Sequence, residues 1–262
     1  MTFLNVSDRR PLPASGSVLG VDVGFSLRRR SSAICRLDWS TTHVSWSIER
    51  FRATPEDLVA AVRKTAGGAE LIGAAFDGPL KVGLGEITRY RLAERLLTVR
   101  FQPFIGKPEG SNSPVGLALH RQANLCVEAV LAHANVASAV HRPAIHGRAI
   151  FEAFPSSFLG QMIDDPKALV TRRGNRSDIY YQHLANNGRL ESLVGRFLPG
   201  RAVATPFSAV TNHDNRAGLV CALTALCIGG GEFVAVGDED GWIILPPRDL
   251  VRDWASWIDL AG

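Results

Sequence analysis

Cysteine is scarce in this chain and scattered where it occurs: four residues in 262, Cys35, Cys126, Cys221 and Cys227. No two form a CxxC pair or stand at a ligand spacing from histidine, which argues against zinc and against a disulfide framework and leaves reduced core thiols. Long apolar runs are missing as well. Nothing approaches the ~18 residues of a spanning helix, so no membrane segment is expected. The amino-terminal MTFLNVSDRRPLPASG has no apolar stretch behind its charges and does not read as a secretory signal, so a cytoplasmic protein is expected. A Ser/Gly/Pro-rich linker, an internal repeat and a low-complexity tract are also lacking, which favours one elaborated domain over residues 1–262. What is present suits a packed domain. Hydrophobic residues make up 46% and charged residues 21%, ample for a sizeable core. A net charge of +4 permits a polyanionic partner without requiring one.

Three β-type runs come first, SVLGVDVGF, SSAICRLDW and HVSWSIERF, separated by short polar segments that suit hairpins and so an antiparallel meander. TPEDLVAAVRKTA follows as a helix, with Thr54 as N-cap, Pro55 at the first helical position and acids in the first turn. AELIGAAFDG is too short for a helix and ends in a Gly turn, the pattern of a buried parallel strand beside the first. EITRYRLAERLLTVR and VGLALHRQANLCVEAVLAHAN have helical spacing, and FQPFIGKPEGSNSP between them reads as an exposed loop of the kind that carries substrate contacts. RAIFEAFPSSFLG is a short strand ended by Pro155. DIYYQHLANNG is a helix capped by Ser177 and closed by Gly188; NHDNRAGLVCALTALCIGGG is an almost wholly apolar helix opened by Asp214; EFVAVGDEDGWIILPP is a hairpin turned at DEDG.

The acids are the anomaly. Asp22 stands inside the first apolar strand and Asp77 ends the fourth, so the two fall at neighbouring strand ends, and Glu152 sits between Phe151 and Phe154 in a third apolar run. Burying a charge is costly unless something pairs with it. Each acid alone has an ordinary explanation: a turn former at Asp77, a helix N-terminal acid at Asp214, a solvent-facing alternate position at Glu152. Of the basic stretches, RRR at Arg28 to Arg30 and RRGNRSD read first as solvated faces. Should the strand ends bind phosphate, Arg28, Lys81, Arg172 and Arg173 are the candidate contacts. Tyr180, Tyr181 and Phe104 are aromatics that stack bases in some proteins, although core packing is the commoner use of such residues.

The blocks GVDVGFS, AAFDGPL, FEAFPSSFLG and HDNRAGLVCALTAL followed by GWIILPP run in order from about Val18 to Pro247 and resemble the signature blocks of the domain of unknown function 429 family, predicted ribonuclease H-like nucleases. The resemblance implies an α/β, ribonuclease H-like mixed sheet, an antiparallel three-strand meander plus parallel strands, flanked by helices. Helical insertions would lie at about 82–146 and 156–210, with a C-terminal hairpin after them. It implies a nuclease that hydrolyses nucleic-acid phosphodiester bonds with Mg²⁺ or Mn²⁺ held by Asp22, Asp77 and Asp214, and Glu152 as a further ligand or as a base behind the ligands. Two cations about 3.5–4 Å apart suit hard oxygen ligands and make a crowd of carboxylates tolerable. Family members commonly carry an Asp where this chain has Ala217, one turn after Asp214, so a domain of the same fold that binds nucleic acid or a protein without cutting is the alternative. GVDVGFS also resembles the first phosphate loop of actin-like sugar kinases and heat-shock ATPases, and IGGGEF their adenosine loop. Such ATP-dependent phosphotransferases need two domains around the nucleotide, and the chain offers no second full set of strands.

Overall fold

The computed structural model describes residues 3–105, 110–169 and 174–255. Among these residues ten strands form one mixed sheet: β1 (Phe3–Ser7), β2 (Gly16–Asp22), β3 (Ser32–Trp39), β4 (His43–Phe51), β5 (Glu70–Asp77), β6 (Asn135–Val136), β7 (Ile150–Ala153), β8 (Ala202–Val203), β9 (Glu232–Asp238) and β10 (Gly241–Leu245). The helices are α1 (Pro55–Ala66), α2 (Leu92–Ile105), α3 (Pro114–His133), α4 (Pro155–Gly160), α5 (Pro166–Leu169), α6 (Arg176–Asn186), α7 (Arg189–Phe197) and α8 (His213–Gly229). Across the sheet the order is β1, β9, β10, β7, β5, β2, β3, β4, β8, with β6 also on β5. The chain is thus α/β, a sheet of parallel and antiparallel strands flanked by helices.

The meander β2, β3, β4 is antiparallel. Strand β5 lies parallel to β2, β7 parallel to β5, and β10 parallel to β7. Because β2 and β5 are interior strands covered on both faces, their runs are continuously apolar rather than alternating, and Val18 to Val21 and Ala74 to Phe76 are fully or almost fully buried. One face is covered by α8, whose residues Arg216 to Ile228 are all buried. Each fully buried Leu or Val there contributes roughly 1.5–3 kcal/mol. Helices α1 and α3 lie on the other face. Helix α1 begins as its sequence predicts, with the Thr54 hydroxyl accepting from the Asp57 N–H and Pro55 at the first position.

Glycine lets α8 sit close on β2. A side chain at Gly20 would meet the Ala222 nitrogen at 2.1 Å and the Gly218 carbonyl oxygen at 2.2 Å, so only glycine fits beneath the helix. That approach lowers the first turn of α8 towards Asp22, two residues further along the strand.

Some local expectations are corrected. FQPFI belongs to α2 rather than to a loop, and Ser111 beyond it is buried. The cap of α6 is Asn175, not Ser177, and Gly188 takes a left-handed conformation at the start of α7. FLNVS forms β1, paired antiparallel with β9, a strand the sequence pattern did not predict. All four cysteines are buried and free, in agreement with core thiols. Among the described residues no helix is long and apolar enough to cross a membrane.

Candidate functional site

Strand register decides which acids meet. In the parallel β2–β5 ladder Asp22 is paired directly with Asp77, and partners in register share a face. The same row continues to Ala153 on one side and to Ala33 and Arg50 on the other. Its face is the one covered by α8, and the helix's first turn brings Asp214 to the Arg50 end. Arg50 Nη2 donates to Asp214 Oδ2 and to the Arg30 carbonyl, while its Nε is buried without a partner. Asp22, Asp77 and Asp214 are therefore neighbours, with Arg50 as the cation among them.

Neither the Asp22 nor the Asp77 carboxylate has a hydrogen-bond donor or an ion-pair partner among the described residues. Burial pushes the Asp22 carboxyl well above the usual range, the charges of Asp77 and Asp214 push it further, and Arg50 opposes them. Burial, with Glu152 as a second repulsive charge, pushes Asp77 up to about 7. Both acids border an open cleft of about 390 Å³, together with Ser156, Arg176, His213 and Ala217. Ala217 thus stands beside them, buried but on the cleft wall.

Glu152 does not join this row. Its partner in register is Phe76, one residue before Asp77, so its side chain leaves the sheet on the face of α3. There Arg91, itself only 1% exposed, binds it through two parallel hydrogen bonds, Nη1 to Oε2 at 2.6 Å and Nη2 to Oε1 at 2.7 Å. The Leu80 N–H adds a third at 2.8 Å. The same guanidinium binds Glu94 through Nε at 2.9 Å and Nη2 at 2.6 Å, and the Leu80 carbonyl through Nη1 at 2.7 Å. The Ser111 hydroxyl donates to Glu94 at 2.8 Å. Burial still leaves Glu152 above its ordinary value, although Arg91 and the Leu80 N–H pull it down. Beside this triad lies a cavity of about 270 Å³ walled by α3, which Asp77 also borders from the strand end. The expected convergence of Glu152 with Asp22 and Asp77 is not met. Among the described residues no group of three or more His, Cys, Asp or Glu side chains is arranged to hold a metal ion.

Of the expected phosphate contacts, Arg28 is exposed in the turn after β2. Lys81 pairs instead with Asp240 at 3.3 Å, which also pairs with Arg89. Arg172 and Arg173 lie outside the described residues. Tyr180 and Tyr181 are core residues, at most 1% exposed; the Tyr181 hydroxyl donates to the Phe207 carbonyl at 2.8 Å, and Phe104 packs on Trp254. None of these three rings is free to stack a base.

Sequence reasoning missed Arg50, Arg91 and Glu94. Arg50 had a signal: the short turn between Trp39 and His43 pairs Trp39 with Val44, which places Arg50 opposite Ala33 and hence in the row of Asp22. Arg91 and Glu94 had none beyond a common i, i+3 charge pair. Comparison of the chain with protein-family models, curated proteins and solved structures found no match.

Proposed function

We propose that the chain is a ribonuclease H-like phosphodiesterase that acts on nucleic acid with the help of Mg²⁺ or Mn²⁺. The observation that carries this reading is the Asp22–Asp77 pair: two adjacent, largely buried carboxylates without a donor or cation of their own, opening on a cleft. The order β4, β3, β2, β5, β7 with α8 across β2 supports the fold assignment.

The donor set fits a hard divalent cation in part. Asp22 and Asp77 offer carboxylate oxygens and lack compensation; Glu152 is committed to Arg91, and Asp214 to Arg50. A cation on the first two would neutralise them and supply an activated water and Lewis acidity towards a phosphoryl oxygen. The rest belongs to the chain: Asp22 and Asp77 would hold the ion, Arg50 balances Asp214, and Arg176 and His213, the latter paired with Asp178 at 3.2 Å, line the cleft where a phosphate backbone would lie. A second reading, binding without cleavage, is favoured by the Arg50–Asp214 ion pair and by Ala217 on the cleft wall. Incubation with single-stranded and duplex DNA and RNA, with Mn²⁺ or a chelator, separates the two. Cleavage that needs the ion and falls by about a hundredfold or more in Asp22→Asn supports the first reading; binding without cleavage supports the second.

A further inference from the structure

We infer that Arg50 takes the place of a second divalent cation, so that the Asp22–Asp77–Asp214 site binds one ion and not two. The inference rests on the divalent-cation reading of Asp22 and Asp77. With a cation bound, three ionised carboxylates and the Arg50 guanidinium would sum to a formal charge of −2, which a single divalent ion balances. Without Arg50 the sum is −3, and one ion would leave a carboxylate uncompensated. The position of Arg50 is set by the sheet, since it is two strands from Asp22 in the same row, with only the small Ala33 between them. Its Nη2 engages Asp214, one of the three acids that the resemblance assigns to metal.

The arginine also carries a cost in its placement beside the acids. Its Nε–H is buried with no acceptor, which is unfavourable for a donor. Its Nη2 is committed to Asp214 on α8 and to the Arg30 carbonyl, a placement that sets its charge among the acids at the expense of its own Nε–H. Ala217 fits the same picture. With no second acid one turn after Asp214, no further carboxylate on α8 stands ready for another ion, and Arg50 supplies the missing positive charge from β4.

The test counts ions. Metal-free wild type, Arg50→Gln and the charge-conserving double variant Arg50→Gln/Asp214→Asn are titrated with Mn²⁺, and free Mn²⁺ is read by its electron paramagnetic resonance signal. The expected result is one ion in the wild type and two in Arg50→Gln, the second bound at least about tenfold tighter than any second ion in the wild type. The double variant is expected to bind one ion within about threefold of the wild-type affinity. Should Arg50→Gln fail to fold, the double variant, which leaves no unpaired charge, keeps the test: a loss of about tenfold or more there makes Asp214 a ligand of the first ion and overturns the inference. Two tight ions in the wild type, or one ion of unchanged affinity in a folded Arg50→Gln, overturns it while leaving the cation reading intact. Absence of Mn²⁺ binding in all three proteins overturns the cation reading and this inference with it.

Discussion

Two groups of buried acids lie one residue apart in register on opposite faces of the same sheet. On the α3 face Glu152 and Glu94 share the Arg91 guanidinium, and every nitrogen of that guanidinium is used. On the α8 face Asp22 and Asp77 lie side by side without a donor, and the nearby Arg50 is spent on Asp214. Taking an ion out of water costs several kcal/mol unless geometry and hydrogen bonding return it. The first group meets that cost from within the chain and holds the Pro79–Leu80 turn in doing so, because Leu80 contributes both its N–H and its carbonyl. The second group does not meet it. On the reading proposed above its compensating charge would come from a cation outside the chain, and that source is what distinguishes the two clusters.

The strongest way to break the contrast is to remove the internal cation. Arg91→Met leaves Glu94 and Glu152 buried together without compensation, and unfolding in urea is expected to show a loss of about 3–5 kcal/mol. A loss below about 1 kcal/mol would mean that the triad is not held as described.

Next in size is the pH response of the uncompensated pair. In metal-free protein the folded form keeps the Asp77 proton up to about pH 7, whereas the unfolded chain releases it near ~3.9. The contribution is fully present below the unfolded value, is lost as pH rises towards 7 and is constant above. Each unit of separation is worth about 1.4 kcal/mol. Unfolding midpoints measured across this range in chelator should fall with pH, and Asp77→Asn should flatten the slope. An unchanged slope in that variant would place the titration elsewhere.

A smaller effect comes from adding an acid on the α8 face. Ala217→Asp is expected to cost metal-free protein about 1–3 kcal/mol, as for a buried polar group without a partner, and Mn²⁺ is expected to restore part of it. If thermal melts show a loss that Mn²⁺ leaves untouched, Ala217 is simply core.

Much of the sheet was legible in the residues. Continuous apolar runs marked β2 and β5 as interior strands, short polar turns marked the meander, and Thr54–Pro55 marked the start of α1. The pairing of Asp22 with Asp77 was legible too, since each stands at the end of such a run. The separation of Glu152 was not. Parallel strands are joined by crossovers, here long helical segments, that fix no register, and a shift of one residue moves a side chain to the other face. The sequence holds no local sign that Glu152 falls beside Phe76 and not beside Asp77. The extension of α2 through FQPFI was hidden for a different reason: Pro103 and the Gly/Pro residues after it carry loop composition, and tertiary packing overrode local propensity. Arg50 was overlooked because an arginine near the end of a strand reads as solvent-facing until the row it belongs to is drawn.

The most direct measurement of the contrast is the shift in melting temperature caused by Mn²⁺ in wild type, Asp22→Asn and Glu152→Gln, each referred to its own melt in chelator. An ion that binds only the folded form raises the midpoint by mass action. The expected result is an equal rise in wild type and Glu152→Gln, whatever Glu152→Gln costs in chelator, and little or no rise in Asp22→Asn. An equal rise in wild type and Asp22→Asn, or its loss in Glu152→Gln, would contradict the assignment of the cation to the Asp22 face of the sheet.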